Sequence, residues 1–445
     1  MPKSASPLDL ARAVQANVRR STKTNLRLRF LSELFEALFA ASLKTEEGQP
    51  ITCHVSYLDP ENPDPTPPKR LRRDRWTYVP FSDAIPLTVP NIVKLAKATD
   101  PRSSSFVVYP GKDDTLYIWG LVDQGNSTFL FANYDTESGF ARPGVFHVSI
   151  AGLAHLIAFD EFTKVAELRV NTLIQEAHDI LRAGPVHELL IRAVAQMAGR
   201  VNEALGPEIG DAGASSIGFT AYEYMRSLSR LLIRAVGYGH GGAILITPDE
   251  AFDHLRTKHR IAYPRLGSAI EARALSKIQE LHARAEISKH LDNKSDDIPA
   301  TLYLDEAVFR DEDEDCTSEI DGAIWFISLL TRVDGLVLMT PDLTVYGFGV
   351  EITAPAEPPA VFLAGDSNGT VKNLKELPYE HYGTRHRSMM RYCSAVPGSV
   401  GFVISQDGDV RAIAHARKRL IVWDNLKLQM HEFAKWQAEI STTTK

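Results

Sequence analysis

A chain of 445 residues is long enough for two or three domains, and 44% hydrophobic with 24% charged residues describes a globular protein, not a disordered or fibrous one. The formal net charge of −7 argues against nucleic-acid binding through the whole surface. Three cysteines, Cys53, Cys316 and Cys393, show neither metal-ligand spacing nor a paired framework, which fits a reducing cytoplasm. No stretch reads as a membrane span: the most lipid-like one, 28–43, is interrupted by Arg29, Glu33 and Glu36 and reads as an amphipathic helix. The first twenty residues contain Arg12, Arg19 and Arg20 but no apolar core or cleavage site, so no secretion signal is expected and a cytoplasmic location is.

In chain order, Leu28, Leu31, Leu34 and Leu38 predict a helix over 25–42. Extended segments follow at 51–58, 76–81, 105–109, 115–122, 128–134 and 144–150, with one helix at 89–98. Short polar turns between them read as an antiparallel sheet, so residues 1–155 form an α+β domain. Residues 156–215 read as a helical connector, because 162–168 and 186–194 have helical periodicity. Ala183-Gly184-Pro185 breaks it and the Gly-, Ala- and Ser-rich stretch 206–216 ends it as a linker. A helix over 221–236 then leads into a buried strand at 242–247, and helix and strand patterns alternate to about 413, the grammar of an α/β domain over 216–425. A final helix at 423–440 makes 426–445 a C-terminal helix and tail.

Chemistry concentrates in the α/β half. In Gly383-Thr384-Arg385-His386-Arg387, three cationic or titratable side chains follow a Gly-Thr turn and suit a polyphosphate. In Val333-Asp334-Gly335-Leu336, an Asp-Gly turn heads an apolar strand and suits a divalent metal. Together they suggest nucleotide chemistry, one element gripping phosphates and the other neutralising charge at phosphorus. Two lookalikes are set aside. Gly237-Tyr-Gly239-His-Gly-Gly242 spells the dinucleotide pattern, but a helix precedes it and a strand follows, the reverse of what that motif needs. Asp321-Gly322-Ala323 sits in a helical context and not at the head of a strand, so Asp334 is preferred.

Other features point less far. The basic run 69–75 follows a Pro-rich segment and reads as a solvated loop, with a contact for nucleic acid or an acidic partner as the alternative. The acidic run 311–315 lacks the glycine and glutamate of a calcium loop and reads as an exposed loop. His187 has no companion at ligand spacing and reads as structural.

Taken in order, these blocks resemble the diadenylate cyclase family, whose members carry Asp-Gly-Ala and then Gly-Thr-Arg-His-Arg. The resemblance covers about 220–420. Gly242-Ala243-Ile244-Leu245-Ile246 is similar to the family's early Gly-Ala-Leu-Ile strand. The segment 400–408, with Ser405-Gln406, is similar to the strand and turn that close its phosphate pocket, where relatives often show Val-Ser-Glu. The resemblance implies a mixed-sheet catalytic domain in which two ATP molecules condense into cyclic di-AMP, releasing two pyrophosphates. It implies that Asp334 binds Mn²⁺ or Mg²⁺ and that Arg385, His386 and Arg387 act on the phosphates. Gly335, Leu336, Gly383, Thr384, Ser405 and Leu245 would contact the nucleotide. Each subunit of the family holds one ATP, so a homo-oligomer with facing sites is implied, and residues 1–155 become a regulatory or sensor domain. The chain departs from the pattern at Leu336, at Gln406 and in a long Pro- and Gly-rich span before Arg385. The alternatives are an inactive nucleotide or cyclic-dinucleotide sensor using the same pocket, and an interaction module that keeps only the fold.

Overall fold

The computed structural model describes residues 4–18, 26–63, 77–99, 104–123, 146–160, 163–174, 178–209, 213–292, 298–354, 356–406 and 409–428. The chain divides into two compact units, Met1–Glu176 and Ala177–Lys445. Both combine helices with mixed sheets, the α/β character expected of the chain. No helix among the described residues is long and apolar enough to cross a membrane. The basic run 69–75 and the strand expected at 128–134 lie outside the described residues.

The first unit opens with α1 (Pro7–Val18), which the sequence reading passed over. Its start signal is local: Ser6 N–H and Oγ–H donate to Asp9 Oδ2 at 2.9 and 2.7 Å, and Pro7 takes the first helical position. Then come α2 (Leu28–Ser42), the two-residue strands β1 (Thr45–Glu46) and β2 (Gln49–Pro50), β3 (Cys53–Tyr57), β4 (Thr77–Pro86) and α3 (Val89–Ala96). They are followed by β5 (Ser104–Pro110), β6 (Leu116–Asp123), β7 (Phe146–Gly152), β8 (His155–Asp160), β9 (Thr163–Arg169) and β10 (Thr172–Ile174). Eight of these strands form a sheet in the order β10-β9-β8-β7-β3-β5-β6-β4. The pairing is antiparallel as expected, except that β3 and β5 run parallel. Phe30, Leu31, Leu34, Phe35 and Leu38 give α2 one apolar face, which packs with Val55, Phe106, Ile118, Val148 and Leu156 of the sheet.

Residues 156–160, 163–169 and 172–174 correct the expected helical connector, because they belong to β8, β9 and β10 of this sheet. A tight turn with Val170 at φ 56° folds Arg169 back onto Thr172, and a hairpin wins over a helical pattern only a few residues long. Within it, Glu167 is buried with three cationic or titratable partners: His155 Nε2 at 2.9 Å, Lys164 Nζ at 2.8 Å and Arg169 Nη2 at 2.6 Å. Burial alone would raise its pKa, but the His155 hydrogen bond and the charges of Lys164 and Arg169 outweigh it and hold the carboxyl well below the usual range. A depressed carboxylate contributes stability that is complete above its unfolded pKa and is lost as pH falls toward the folded value. Glu167→Gln is therefore expected to cost about 2 kcal/mol at neutral pH, short of the ~3–5 for breaking a fully buried pair because the cations reach water. In urea unfolding, the gap from wild type should narrow steadily below about pH 4. A gap of constant size down to pH 3 would exclude this account.

The second unit contains α4 (Pro185–Leu205), α5 (Gly213–Gly237), β11 (Gly242–Ile246), β12 (Leu255–Tyr263), α6 (Arg265–Asp292), α7 (Ala300–Leu330), β13 (Leu336–Met339) and β14 (Val345–Ile352). It continues with β15 (Val361–Leu363), β16 (Lys375–Glu376), α8 (Thr384–Ala395), β17 (Val400–Ile404), β18 (Val410–Ala416) and β19 (Arg419–Trp423). The sheet order is β12-β14-β13-β11-β17-β18-β19-β15-β16. It is mixed: β11 runs parallel to β13 and β15 to β19, while the other pairs are antiparallel. The central strand β11 is buried at all five positions because both faces are covered, which is why it reads as an unbroken apolar run. Ile244 and Ile246 face the helical layer of Leu190, Tyr224, Leu228, Ile270 and Ile324. Ala243 and Leu245 face α8 through Met389, Met390 and Cys393.

Three further expectations change here. The linker at 206–216 is a 3₁₀ turn over Pro207–Ile209, and α5 begins at Gly213. The acidic run 311–315 is not an exposed loop but part of α7. There Asp313 is buried against Arg273 Nε at 3.0 Å and Lys277 Nζ at 3.5 Å, both on α6, and Arg273 also holds Glu223 of α5 at 2.6 Å, so the charge is neutralised among three helices. Trp423 ends a strand and residues 424–428 are not helical, while the rest of the expected C-terminal helix lies outside the described residues. The long span before Arg385 contributes β15 and β16 to the sheet. His187 is structural as read, its Nδ1–H donating to the Leu181 carbonyl at 2.9 Å.

Candidate site at the end of the second sheet

Register brings the separated blocks together. Beside β11, Ile244 pairs with Val337 in parallel and Gly242 pairs with Ile404 in antiparallel sense. The heads of β11 and β13 therefore lie at the same sheet end as the tail of β17. Asp334 and Gly335 precede β13 there, Gly241 precedes β11, and Ser405 follows β17. Asp334 is exposed. Asp321, the rejected lookalike, sits inside α7 and pairs with Arg230.

Gly335 is where the backbone needs a glycine. Its φ is +113°, and a Cβ would stand 2.5 Å from the Gly349 carbonyl carbon and 2.8 Å from Val350 N. Gly349 itself has φ +62°, and the β13–β14 register shifts beside it, so two bare backbones meet in a bulge that sets the position of Asp334.

α8 brings the cations to the same end. Met389, Met390, Tyr392 and Cys393 seat it on the sheet, and Gly401 makes room, since a Cβ there would lie 2.3 Å from Met389 Cγ. Gly383 is the N-cap with no side-chain cap, Thr384 is exposed, and the first turn contains no acid. Its free N–H groups and positive dipole end thus remain available to an anion. Arg385 folds over Gly241: a Cβ on that glycine would be 2.6 Å from Arg385 Nη1 and 3.4 Å from the Ile404 carbonyl oxygen. Arg387 Nε is buried with no hydrogen-bond partner among the described residues. Such a donor loses solvation without recompense until something accepts from it.

The remaining named residues divide. Ser405 closes the turn after β17: its N–H donates to the Asp409 carbonyl at 2.9 Å and its Oγ accepts from Asp409 N–H at 3.1 Å. Leu245 and Leu336 are 0% and 5% exposed, so their side chains belong to the apolar layer under α8 and only their backbones could meet a ligand. His386 is half-buried, with Arg411 Nη1 3.2 Å from its Nε2 and the Tyr382 ring 5.4 Å away. Sequence reading missed Arg411 and Gly241. Arg411 looks like one polar residue in an alternating strand, and Gly241 like one glycine of a turn. Only the fold puts them beside the Arg-His-Arg run.

Among the described residues, no group of three or more His, Cys, Asp and Glu is gathered to hold a metal ion. Comparison with curated proteins finds no match for the chain. In the first unit, the segment from before α2 through β6, residues 23–123, matches the family model described as "Probable sensor domain DACNV", in accord with the sensor-like N-terminal domain expected from the sequence.

Proposed function

We propose that the second unit binds ATP at this sheet end and condenses two ATP molecules into cyclic di-AMP and two pyrophosphates, under the control of the N-terminal sensor domain. The observation that supports it most is the convergence of Gly241, Asp334-Gly335, Arg385 and Ser405 on one end of three adjacent strands. In each half-reaction a 3′-oxygen bonds to the α-phosphorus of the other nucleotide, the bond to pyrophosphate breaks, and the hydroxyl proton leaves to solvent. Repeating it in the opposite sense closes the ring, so two copies of the chain must face each other, and positioning supplies much of the rate.

Arg385 and Arg387 would bind the phosphates together with the N-terminal amides of α8, and Thr384 would add a hydroxyl. Gly335, where a Cβ would collide with the Gly349 main chain, would let the backbone carry Asp334 up to the nucleotide. Ser405 Oγ would donate its hydrogen to the triphosphate while still accepting from Asp409 N–H. Asp334 would hold Mn²⁺ or Mg²⁺. A single exposed carboxylate suits Mg²⁺, which keeps several waters and takes the rest of its ligands from substrate phosphates. The metal would supply charge neutralisation at the α-phosphate and lower the pKa of the attacking hydroxyl.

Incubating the purified protein with ATP and Mn²⁺ or Mg²⁺, with products resolved by mass spectrometry, tests this directly. Cyclic di-AMP is the expected product. Gln406 beside Ser405, where an acid would be usual, favours a second reading: a nucleotide or cyclic-dinucleotide sensor using the same pocket. Thermal stabilisation of a confirmed dimer by ATP without pyrophosphate release would establish that second reading. Absence of any stabilisation would overturn both.

A further inference from the structure

His386 stands in the middle of the Arg385-His386-Arg387 run, but its hydrogen-bond partner comes from a neighbouring strand. Arg411 on β18 places Nη1 3.2 Å from His386 Nε2. A guanidinium has five N–H donors and no acceptor, and it stays protonated in proteins. In this contact Arg411 therefore donates, and Nε2 accepts with its lone pair. The imidazole proton is left on Nδ1 and the ring carries no charge. The surroundings agree. Burial first, then the charges of Arg411 and Arg385, push the His386 pKa down to about 4. The groups facing the ring are Arg411 from β18, Arg385 from its own helix and Tyr382 from the loop before it. Arg411 is itself fixed from two further sides, lying 5.5 Å from the Tyr382 ring centroid with Nη2 3.7 Å from Asp409 Oδ2.

We propose that Arg411 is a positioning residue of the anion site: it holds His386 as the neutral Nδ1–H tautomer, so that His386 offers a polyphosphate a hydrogen-bond donor and no charge. That the anion is a nucleotide triphosphate rests on the proposed function; the tautomer rests on the Arg411 contact alone. The consequence is chemical. A run that reads as three potential cations is two cations flanking a neutral donor. His386 Nε2, already accepting from Arg411, is not free to act as the base for a 3′-hydroxyl. Polyphosphate affinity is then level across the range in which an ordinary histidine would lose its charge.

Histidine-selective ¹⁵N NMR of the full chain without nucleotide tests the tautomer, with His386→Gln identifying the signal among fourteen histidines. The expected wild-type signal is a neutral Nδ1–H ring at both about pH 5.5 and about pH 7.5. Arg411→Met should release it toward the Nε2–H tautomer and raise its titration by at least about one unit. Arg411→Lys, which still donates and still carries charge, should restore the wild-type signal. Pyrophosphate titrated into the same samples should bind Arg411→Met about tenfold more weakly, the scale of one lost charge-assisted contact, and with a new pH dependence. A wild-type ring that is cationic at pH 5.5, or protonated on Nε2, would overturn the proposal. So would a signal unmoved in Arg411→Met. Wild type that binds neither pyrophosphate nor ATP while showing the Nδ1–H ring would overturn both the nucleotide reading and the anion role of His386, and leave only the tautomer standing.

Discussion

Asp334→Asn is expected to abolish detectable condensation of ATP, with a loss of at least about a hundred- to a thousandfold, while the chain stays folded and still binds ATP. Asp334 is exposed at the sheet end, so removing its charge costs the fold little. The Arg385 and Arg387 guanidiniums and the N-terminus of α8 remain to grip the phosphates. What disappears is the anionic ligand proposed for the metal, whose effect falls on the transition state more than on the ground state. The informative comparison is Asp321→Asn. Asp321 pairs with Arg230 inside the second unit, so this change should lower the melting temperature and spare turnover per folded molecule. Measured side by side by mass spectrometry and thermal melting, the two variants separate the Asp-Gly of a helix from the Asp-Gly that heads a strand. Turnover surviving Asp334→Asn and vanishing in a folded Asp321→Asn would reverse the assignment.

That choice could be made from sequence because of how the two tripeptides are embedded. After Asp334-Gly335 come four residues buried in a row, whereas Asp321 lies within a helix whose buried Ile320, Ala323, Ile324 and Ile327 recur at helical spacing. β11 and β17 were legible for the same reason, as central strands covered on both faces. Their neighbourhood was not legible, because register and crossover order are long-range properties that no local pattern encodes. Elements misread from the sequence fail for a shared cause. Asp313 is buried because Arg273 of another helix neutralises it, and Glu167 because His155 of the paired strand joins Lys164 and Arg169 of its own; a charge in a sequence looks like surface. α1 is different: Ser6, Pro7 and Asp9 announced it locally, and its small apolar face, with Ala11 and Ala13 among the buried residues, hid it.

Gly335→Ala is expected to cost about 3 kcal/mol or more, the sum of a φ that L-residues avoid and a collision with main chain. At φ +113° an alanine is strained wherever there is room, and here there is none. The added Cβ would sit 2.5 Å from the Gly349 carbonyl carbon and 2.7 Å from the Gly349 Cα. These are backbone atoms of a paired strand, so no rotamer change relieves the contact, and β13 and β14 must separate. Gly383 supplies the contrast. It has ordinary helix-entry dihedrals and nothing within 4 Å of an added Cβ, so Gly383→Ala should cost no more than about 1 kcal/mol as a cap substitution. Denaturant unfolding of both variants reads this difference in the fold alone, without nucleotide. If Gly335→Ala unfolds at the wild-type midpoint, the β13–β14 contact does not constrain the backbone. The carboxylate it positions would then owe its place to something other than this bulge. If the variant is destabilised as expected yet still folded, Asp334 has been moved along with its neighbour, and ATP turnover should fall with affinity nearly unchanged. That pairing ties the glycine to the geometry of the aspartate and separates it from the cations of α8.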